Sequence, residues 1–497
     1  MPTARSSACQ GWSQRRGVRC VPKRSGIGLC EDCPQCSFIL MPSKEKPQRA
    51  RVDITLPGAR AARSADARDA RGKAIASRGR AGRGREPDGQ GALVSRRAAD
   101  RLRAGHLWVY RSDLEADTSG APAGGLVTVG DARGPVGTGI YSSASQIAVR
   151  LVSRNAALTR EQYLVEVREG VAAALRLRAE LAPVSASDNA HRLIFAEADG
   201  LPGIVADRYN DLVLLQLLAQ GTAQDDVREA VVSALRNALA PAGEPLTIWE
   251  RPDPRIRELE ELAAPKRECA FTNAKSAAAT TIFHLNGLRF GYDAGAGQKT
   301  GAFLDQRLNY AAAARWVQGS GRTQRALDVC TYHGGFALHL AAVCARVTGV
   351  DASRTALEAA DQNLLLNAQL AADVDWIEAD AFELLRAFDA QGERFGAIVL
   401  DPPAFAKSKR AAQGAARGYK ELNLRAMRKI EPGGTLVTCS CSHHVSLEEF
   451  TQIVAAAASD AGRRVQLLET RAAAPDHPEV LTLPETRYLK CLICRVD

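Results

Sequence analysis

The chain of 497 residues is too long for one ordinary hydrophobic core, so two to four domains are expected. With 46% hydrophobic and 24% charged residues it reads as a soluble globular protein, and no apolar run approaches the ~20 residues that span a bilayer, so no membrane association is expected. The N-terminus lacks the apolar segment of a signal peptide; the chain reads as cytoplasmic, where its 12 cysteines are thiols. The net charge of +9 is uneven: residues 1–90 hold 19 Lys/Arg against 8 Asp/Glu, and the remainder holds 46 against 48. The basic character belongs to a tail, and the body needs locally clustered basic residues to hold a polyanion.

In chain order, residues 1–90 show no sustained apolar period and are rich in Arg, Ala, Gly and Ser, so disorder is expected. Cys30, Cys33 and Cys36 form C-x-x-C-x-x-C with Cys20 upstream, but no second spaced pair follows, which favours free thiols over a zinc knuckle. Met41 is a second candidate start. From 91 to 160, short strand-like runs alternate with Gly turns, among them "HLWVYRSDL" and "GTGIYSS", which predicts a small β-rich module. Trp108 and Tyr110 share one face, expected as core before a base-stacking platform. Residues 161–290 predict an α+β module: a helix at 159–182, a hairpin turning at Gly200-Leu201-Pro202-Gly203, a second helix, and a hairpin around Asn286-Gly287.

After residue 320 the pattern becomes regular. Strands "RALDVC", "RVTGVD", "VDWIEAD", "FGAIVLD" and "TLVTCSCS" alternate with helices, and Ser446-x-x-Glu449 reads as a capping box. This alternation predicts a Rossmann-like, doubly wound parallel sheet with helices on both faces. In such sheets ligands sit outside the carboxyl ends of the strands. Those ends carry Asp328 and Cys330 with Gly334 and Gly335, then Asp351, Asp380 and Asp401. The glycines allow close approach to a ligand at a helix N-terminus. Asp351 is placed for ribose hydroxyls and Asp380 for a ring amino group. The loop is not G-x-G-x-x-G, so a nucleoside without a pyrophosphate, commonly S-adenosylmethionine, suits this edge better than a dinucleotide.

The motifs "LDVCTYHGGFALHLA", "GVDASRTALEAADQNLLLN", "EADAF", "VLDPPAFAKSK" and "VTCSCSHH" resemble those of class I S-adenosylmethionine-dependent methyltransferases. With "GQKTGAFLDQRLNY", "ERPDPRIRELEEL" and the tail "AAAPDHPEVLTLPETRYLKCLICRV", residues 91–497 resemble the RlmI-like 23S ribosomal RNA cytosine-5 methyltransferases. Two departures are His333, where relatives usually have a small residue, and "HLWV" at 106–109, which lacks a common proline. The resemblance implies a PUA-like RNA-binding domain at 91–160, an α+β domain at 161–290 and a methyltransferase domain at 291–497, with ribosomal RNA, 23S in the family, as partner. A homodimer is a further expectation. The resemblance also adds Gln298, Lys299, Thr300, Asp305 and Arg307 to the cofactor side.

Cys439 and Cys441 share a strand face, and Cys441 lies one pleat nearer the carboxyl edge, beside Asp401. Three readings of these cysteines are open: a metal site with His443 or His444, buried core, or a nucleophile. Core is the expectation for Cys439 and a nucleophile for Cys441, with no metal bound. Cytosine C5 needs thiolate addition at C6 before it can take a methyl group, and Asp401 would face the base edge. Guanine N7 or an exocyclic amine needs no cysteine and is the alternative target; a second alternative is a non-catalytic RNA-binding or assembly protein. The tail is expected to assist RNA encounter without choosing the target.

Overall fold

The computed structural model describes residues 19–20, 91–115, 120–263, 268–295, 302–405 and 412–497, the side chains of 19–20 and 412–413 excepted. The expected disorder of the tail, the spacing at Cys30, Cys33 and Cys36, and Gln298, Lys299 and Thr300 lie outside the described residues.

Runs of consecutive apolar residues become strands buried on both faces; Phe395–Leu400 is buried at every position. The large sheet takes its strands in chain order from Arg325–Val329, Arg346–Asp351, Asp373–Glu378, Phe395–Leu400, Ile430–Ser440, Val465–Arg471 and Lys490–Val496. Their spatial order is third, second, first, fourth, fifth, seventh, sixth, with the two-residue strand Arg19–Cys20 parallel outside the third. The first strand lies between the second and fourth, and that reversal of order sets the ligand crevice at its carboxyl end. One apolar cluster on one face includes Val347, Trp376 and Ala397; Leu327, Ile398 and Leu436 belong to the cluster on the other.

Two features differ from the predicted all-parallel sheet. The seventh strand runs antiparallel to both neighbours. Residues 472–489 stay at the carboxyl edge without a crossover helix, so the chain can only re-enter the sheet in the opposite direction. The predicted stop at Pro432-Gly433-Gly434 is instead a bulge inside the fifth strand, which starts at Ile430 and pairs Phe395 with Ile430 but Ala397 with Thr435. A Cβ on Gly434 would lie 2.6 Å from the Gly396 carbonyl, so no side chain fits there. The capping box forms as read, with Ser446 and Glu449 exchanging side chain-to-backbone hydrogen bonds.

The central module is a five-stranded sheet with helices Arg160–Leu181 and Asp225–Leu239. Its neighbouring hairpin, Thr280–Leu285 and Leu288–Asp293, turns through Asn286 and Gly287 at φ 51° and 85°. Phe283, Leu285 and Phe290 of this hairpin join the same apolar cluster as the helix residues Ala337 and Leu338, so the hairpin walls the large sheet's carboxyl side. In the β-rich module a helix, Arg96–Arg103, was not anticipated; Ser95 caps it by accepting from the Ala98 N–H. Val109, not Trp108 or Tyr110, points into that module's core. Trp108 instead donates from Nε1 to Glu197 at 2.9 Å, across to the central module. Arg150 pairs with the buried Glu260 at 3.0 Å across the same contact.

Candidate active site

At the carboxyl edge opens a cavity of about 1750 Å³. The loop after the first strand supplies Cys330, Tyr332 and His333; the second strand ends in Asp351, the third leads to Asp380, the fourth to Asp401, Pro402 and Pro403, and the fifth to Cys441. Residues 303–306 and 488–489 close one side, and Thr280–Ile282 with Gly291–Asp293 of the hairpin close another. The loop bends sharply because Cys330, Tyr332 and Gly334 all take positive φ, at 65°, 52° and 83°. Two of these are not glycine, a cost of order 1–3 kcal/mol each that the surroundings must hold. Asp351 holds part of it: its carboxylate accepts from the Tyr332 N–H at 3.0 Å and the Ser353 N–H at 2.8 Å.

Not every residue expected at the cofactor reaches the cavity. Asp351, Asp380, Asp401, Asp305, Cys330 and Cys441 line it. Asp380 also caps the helix Ala381–Gln391, accepting from the Phe382 and Glu383 N–H groups. Asp328 does not line it. It is fully buried, accepts from the Thr331 hydroxyl at 2.6 Å and the Ala337 N–H at 2.9 Å, and supports the loop from beneath; burial pushes its carboxyl up to about 7. Arg307 turns away from the cavity as well, to Asp476 at 3.3 Å and Asp188 at 3.1 Å. The two glycines also line no part of the cavity. A Cβ on Gly335 would lie 2.5 Å from the Tyr310 ring and one on Gly334 3.2 Å from Trp376, so both make room for aromatic rings.

Cys439 is fully buried in the apolar cluster, whereas Cys441, past the end of the strand, is half-buried with Sγ 4.0 Å from the Pro402 carbonyl. Burial, then the charges of Asp401 and Asp305, pushes the Cys441 thiol up to about 11, opposed by Lys490. Lys490 is buried, donates to the Ser442 carbonyl at 2.7 Å and the Tyr488 carbonyl at 2.8 Å, and is drawn down to about 8 by burial. Tyr488 donates to Asp305 at 2.6 Å, and Gln306 donates to Asp401 at 3.1 Å. Sequence reading passed over Gln306, Tyr332, Tyr488 and Lys490. Gln306 sat in plain view between Asp305 and Arg307, but nothing in "FLDQR" says which side chain turns to the cavity.

Among the described residues the lining has five carboxylates, from Asp293, Asp305, Asp351, Asp380 and Asp401, and no Lys or Arg. Such a wall repels pyrophosphate and fits a ligand carrying sulfonium and ammonium charge.

Residues 201–494 match the S-adenosylmethionine-dependent methyltransferase family and residues 93–154 a PUA-like domain. Over 395 residues the chain is 36% identical to ribosomal RNA large subunit methyltransferase I of Klebsiella pneumoniae, covering 79% of this chain and 94% of that protein. The protein of that name from Shewanella amazonensis is 38% identical over 397 residues, with 79% and 95% covered. The chain belongs to the large subunit methyltransferase I family. The fold of this methyltransferase is shared with a SAM-dependent methyltransferase from Streptococcus mutans, at a TM-score of 0.66 and 17% identity, covering 81% of this chain and 99% of that one. It is shared equally with a methyltransferase crystallised with SAH, at a TM-score of 0.66 and 18% identity over the same shares. S-adenosylmethionine is the cofactor of the family, and the acidic lining of the cavity suits it. No helix among the described residues is long and apolar enough to cross a membrane.

Proposed function

We propose that this methyltransferase acts on ribosomal RNA of the large subunit, transferring a methyl group to C5 of a cytosine through a covalent bond between Cys441 and C6. The observation that carries the reading is the meeting of Cys441 and Asp401 in one cavity with the acidic wall suited to the cofactor. The relatives named as ribosomal RNA large subunit methyltransferases support the substrate class. RNA binding falls to the PUA-like module, placed at 91–160, and methyl transfer to residues 291–497. Asp351 and Asp380 would hold the cofactor's nucleoside, and the family resemblance adds Gln298, Lys299 and Thr300 to its binding.

The cofactor supplies an electrophilic methyl group. The chain supplies everything else. As the sulfur of Cys441 bonds to C6, its S–H proton must pass to a neighbouring carboxylate, because a thiol near 11 is scarcely ionised at neutral pH. Asp401 and Asp305 are the carboxylates whose fields reach that thiol. The C5–C6 π pair then shifts toward C5, which becomes enamine-like and takes the methyl group; the C5 proton then passes to water, its bond pair re-forms C5=C6 as the S–C6 bond breaks, and the departing thiolate takes back the proton held by the carboxylate. Asp401, at the base edge, would accept from the N4 amino group and, once protonated, donate to N3, where negative charge gathers while C6 is bonded to sulfur.

The test is RNA in which the target cytosine is replaced by 5-fluorocytosine. Fluorine cannot depart as a proton does, so the enzyme should stall with Cys441 still bonded to C6. Cys441→Ser should abolish both adduct and methylation, and Cys439→Ser should keep both at some cost in packing. Asp401-Pro402-Pro403 with Phe405 on the cavity wall also favours a second reading, methylation of an exocyclic amine. A fully active Cys441→Ser enzyme yielding an N-methylated base would establish that reading and end the first.

A further inference from the structure

Asp401 does not stand alone at the cavity. Its Oδ2 accepts from Gln306 Nε2 at 3.1 Å; Gln306 Oε1 accepts from Asn309 Nδ2 at 2.6 Å; and Asn309 Oδ1 accepts from Arg471 Nε at 2.7 Å, at the end of the sixth strand. Asn309 Nδ2 also donates to the Ala472 carbonyl at 3.1 Å. Gln306 and Asn309 are buried, so water does not compete for these partners.

The direction of this chain is forced. A guanidinium only donates and a backbone carbonyl only accepts. Arg471 therefore turns the oxygen of Asn309 toward itself, and Ala472 independently turns the nitrogen the other way. Asn309 must then donate to Gln306, Gln306 must present its oxygen to Asn309, and its nitrogen must point at Asp401. One arginine at the sheet's edge thus determines which hydrogen-bonding role is left for the carboxyl at the base, two amides away.

We infer that Gln306 is a positioning residue for the methyl-transfer reaction, acting through Asp401. Its N–H orients the carboxyl and commits Oδ2 to accepting. This rests on the reading of Asp401 as the contact of the target base. Among the described residues, the groups facing Gln306 and Asp401 that titrate or carry charge are Asp305 on the same turn, Tyr310 on the helix Arg307–Ser320, Cys330 on the loop, Cys439 and Cys441 on the fifth strand, and Arg471.

The experiment compares full-length wild type, Gln306→Glu, Asn309→Asp and Asp401→Ala in methylation of large-subunit RNA from pH 5.5 to 9, with cofactor affinity measured by calorimetry. In Gln306→Glu a carboxylate oxygen faces Asp401 Oδ2, and two such oxygens at hydrogen-bond distance share a proton. Its kcat should be close to wild type at the acid end and fall at least tenfold toward pH 9, with cofactor affinity held. Asn309→Asp lies outside the cavity lining, yet it should reverse the Gln306 amide and reproduce the same loss toward alkaline pH. It also decides the matter should Gln306→Glu fail to fold. A loss equal at every pH, or wild-type rates in both variants while Asp401→Ala is inactive, would overturn the positioning role alone. An active Asp401→Ala enzyme would overturn the base contact, and the positioning role with it.

Discussion

A thiol pushed up to about 11 and a lysine drawn down to about 8 sit together behind the fifth and seventh strands, and each moderates the other. The Lys490 cation lowers the Cys441 thiol, and its two bonds to the Ser442 and Tyr488 carbonyls hold the turn that presents it. Below its own value the thiolate fraction of Cys441 rises about tenfold per pH unit. Alkylation of Cys441 by iodoacetamide, followed by mass spectrometry from pH 7 to 10, should be slow at neutral pH and steepen accordingly. Lys490→Met should slow it further near pH 7, where the lysine carries its charge, and the gap should close as pH rises past about 8 and the lysine itself is neutralised. Faster alkylation in the variant would show that the lysine shields the thiol instead of favouring its ionised form. Neither residue's role was legible from sequence: Lys490 lies 49 positions after Cys441, and only the antiparallel pairing of Ser440 with Lys490 brings them together.

Among elements, the loop between the sixth and seventh strands does more than connect. Asp476 is fully buried and receives the Arg307 guanidinium at 3.3 Å and the Arg192 N–H at 2.8 Å, while its backbone carbonyl accepts from Arg178 at 2.9 Å. It ties the central module to the carboxyl edge. Burial alone would raise this carboxyl, but His477, Arg307 and the Arg192 N–H outweigh it and hold the group well below its usual range. A depressed carboxyl stabilises the fold above its unfolded value of about 3.9, and that stability fades as pH falls toward the folded value. Asp476→Ala should cost about 3–5 kcal/mol at pH 7, since it leaves the Arg307 guanidinium and the Arg192 N–H short of a partner in a buried site. Denaturant unfolding should show the gap between variant and wild type narrowing below pH 4; a gap unchanged down to pH 2 would mean the ionised carboxyl is not its source. The regular strands and the acidic edge could be read in the sequence because each is local, an apolar run ending in an aspartate. The buried knot could not, because Arg307 and Asp476 are 169 positions apart, and "FLDQR" reads equally well with its arginine toward the cofactor.

For the whole molecule, the described body offers a cavity walled by carboxylates, while the sequence places a net +11 in residues 1–90. RNA carries negative charge on every residue, so the tail should supply much of the general attraction and little of the choice. Removing residues 1–90 should weaken RNA binding and reduce the slope of log affinity against log salt by about 0.7 for each phosphate that the tail neutralises, leaving the modified nucleotide unchanged. Filter binding over a salt series, with nucleoside mapping of the product, checks both. A truncated enzyme that modified a different nucleotide would make the tail a selector.

The place of the seventh strand governs how the enzyme is made. Residues 490–496 fit between strands 430–440 and 465–471, so synthesis delivers the piece that joins them after both. Until it has left the ribosome, Val465–Arg471 has no partner in the sheet, and the outer edge of the fifth strand lies bare for other chains to pair with. Lys490, behind Cys441, comes with that same segment. A chain stalled twenty residues earlier would hold the first five strands and the acidic edge, but Cys441 would stand on an unsupported turn. Methylation competence should therefore arise in a single late step of biogenesis, after cofactor binding has become possible.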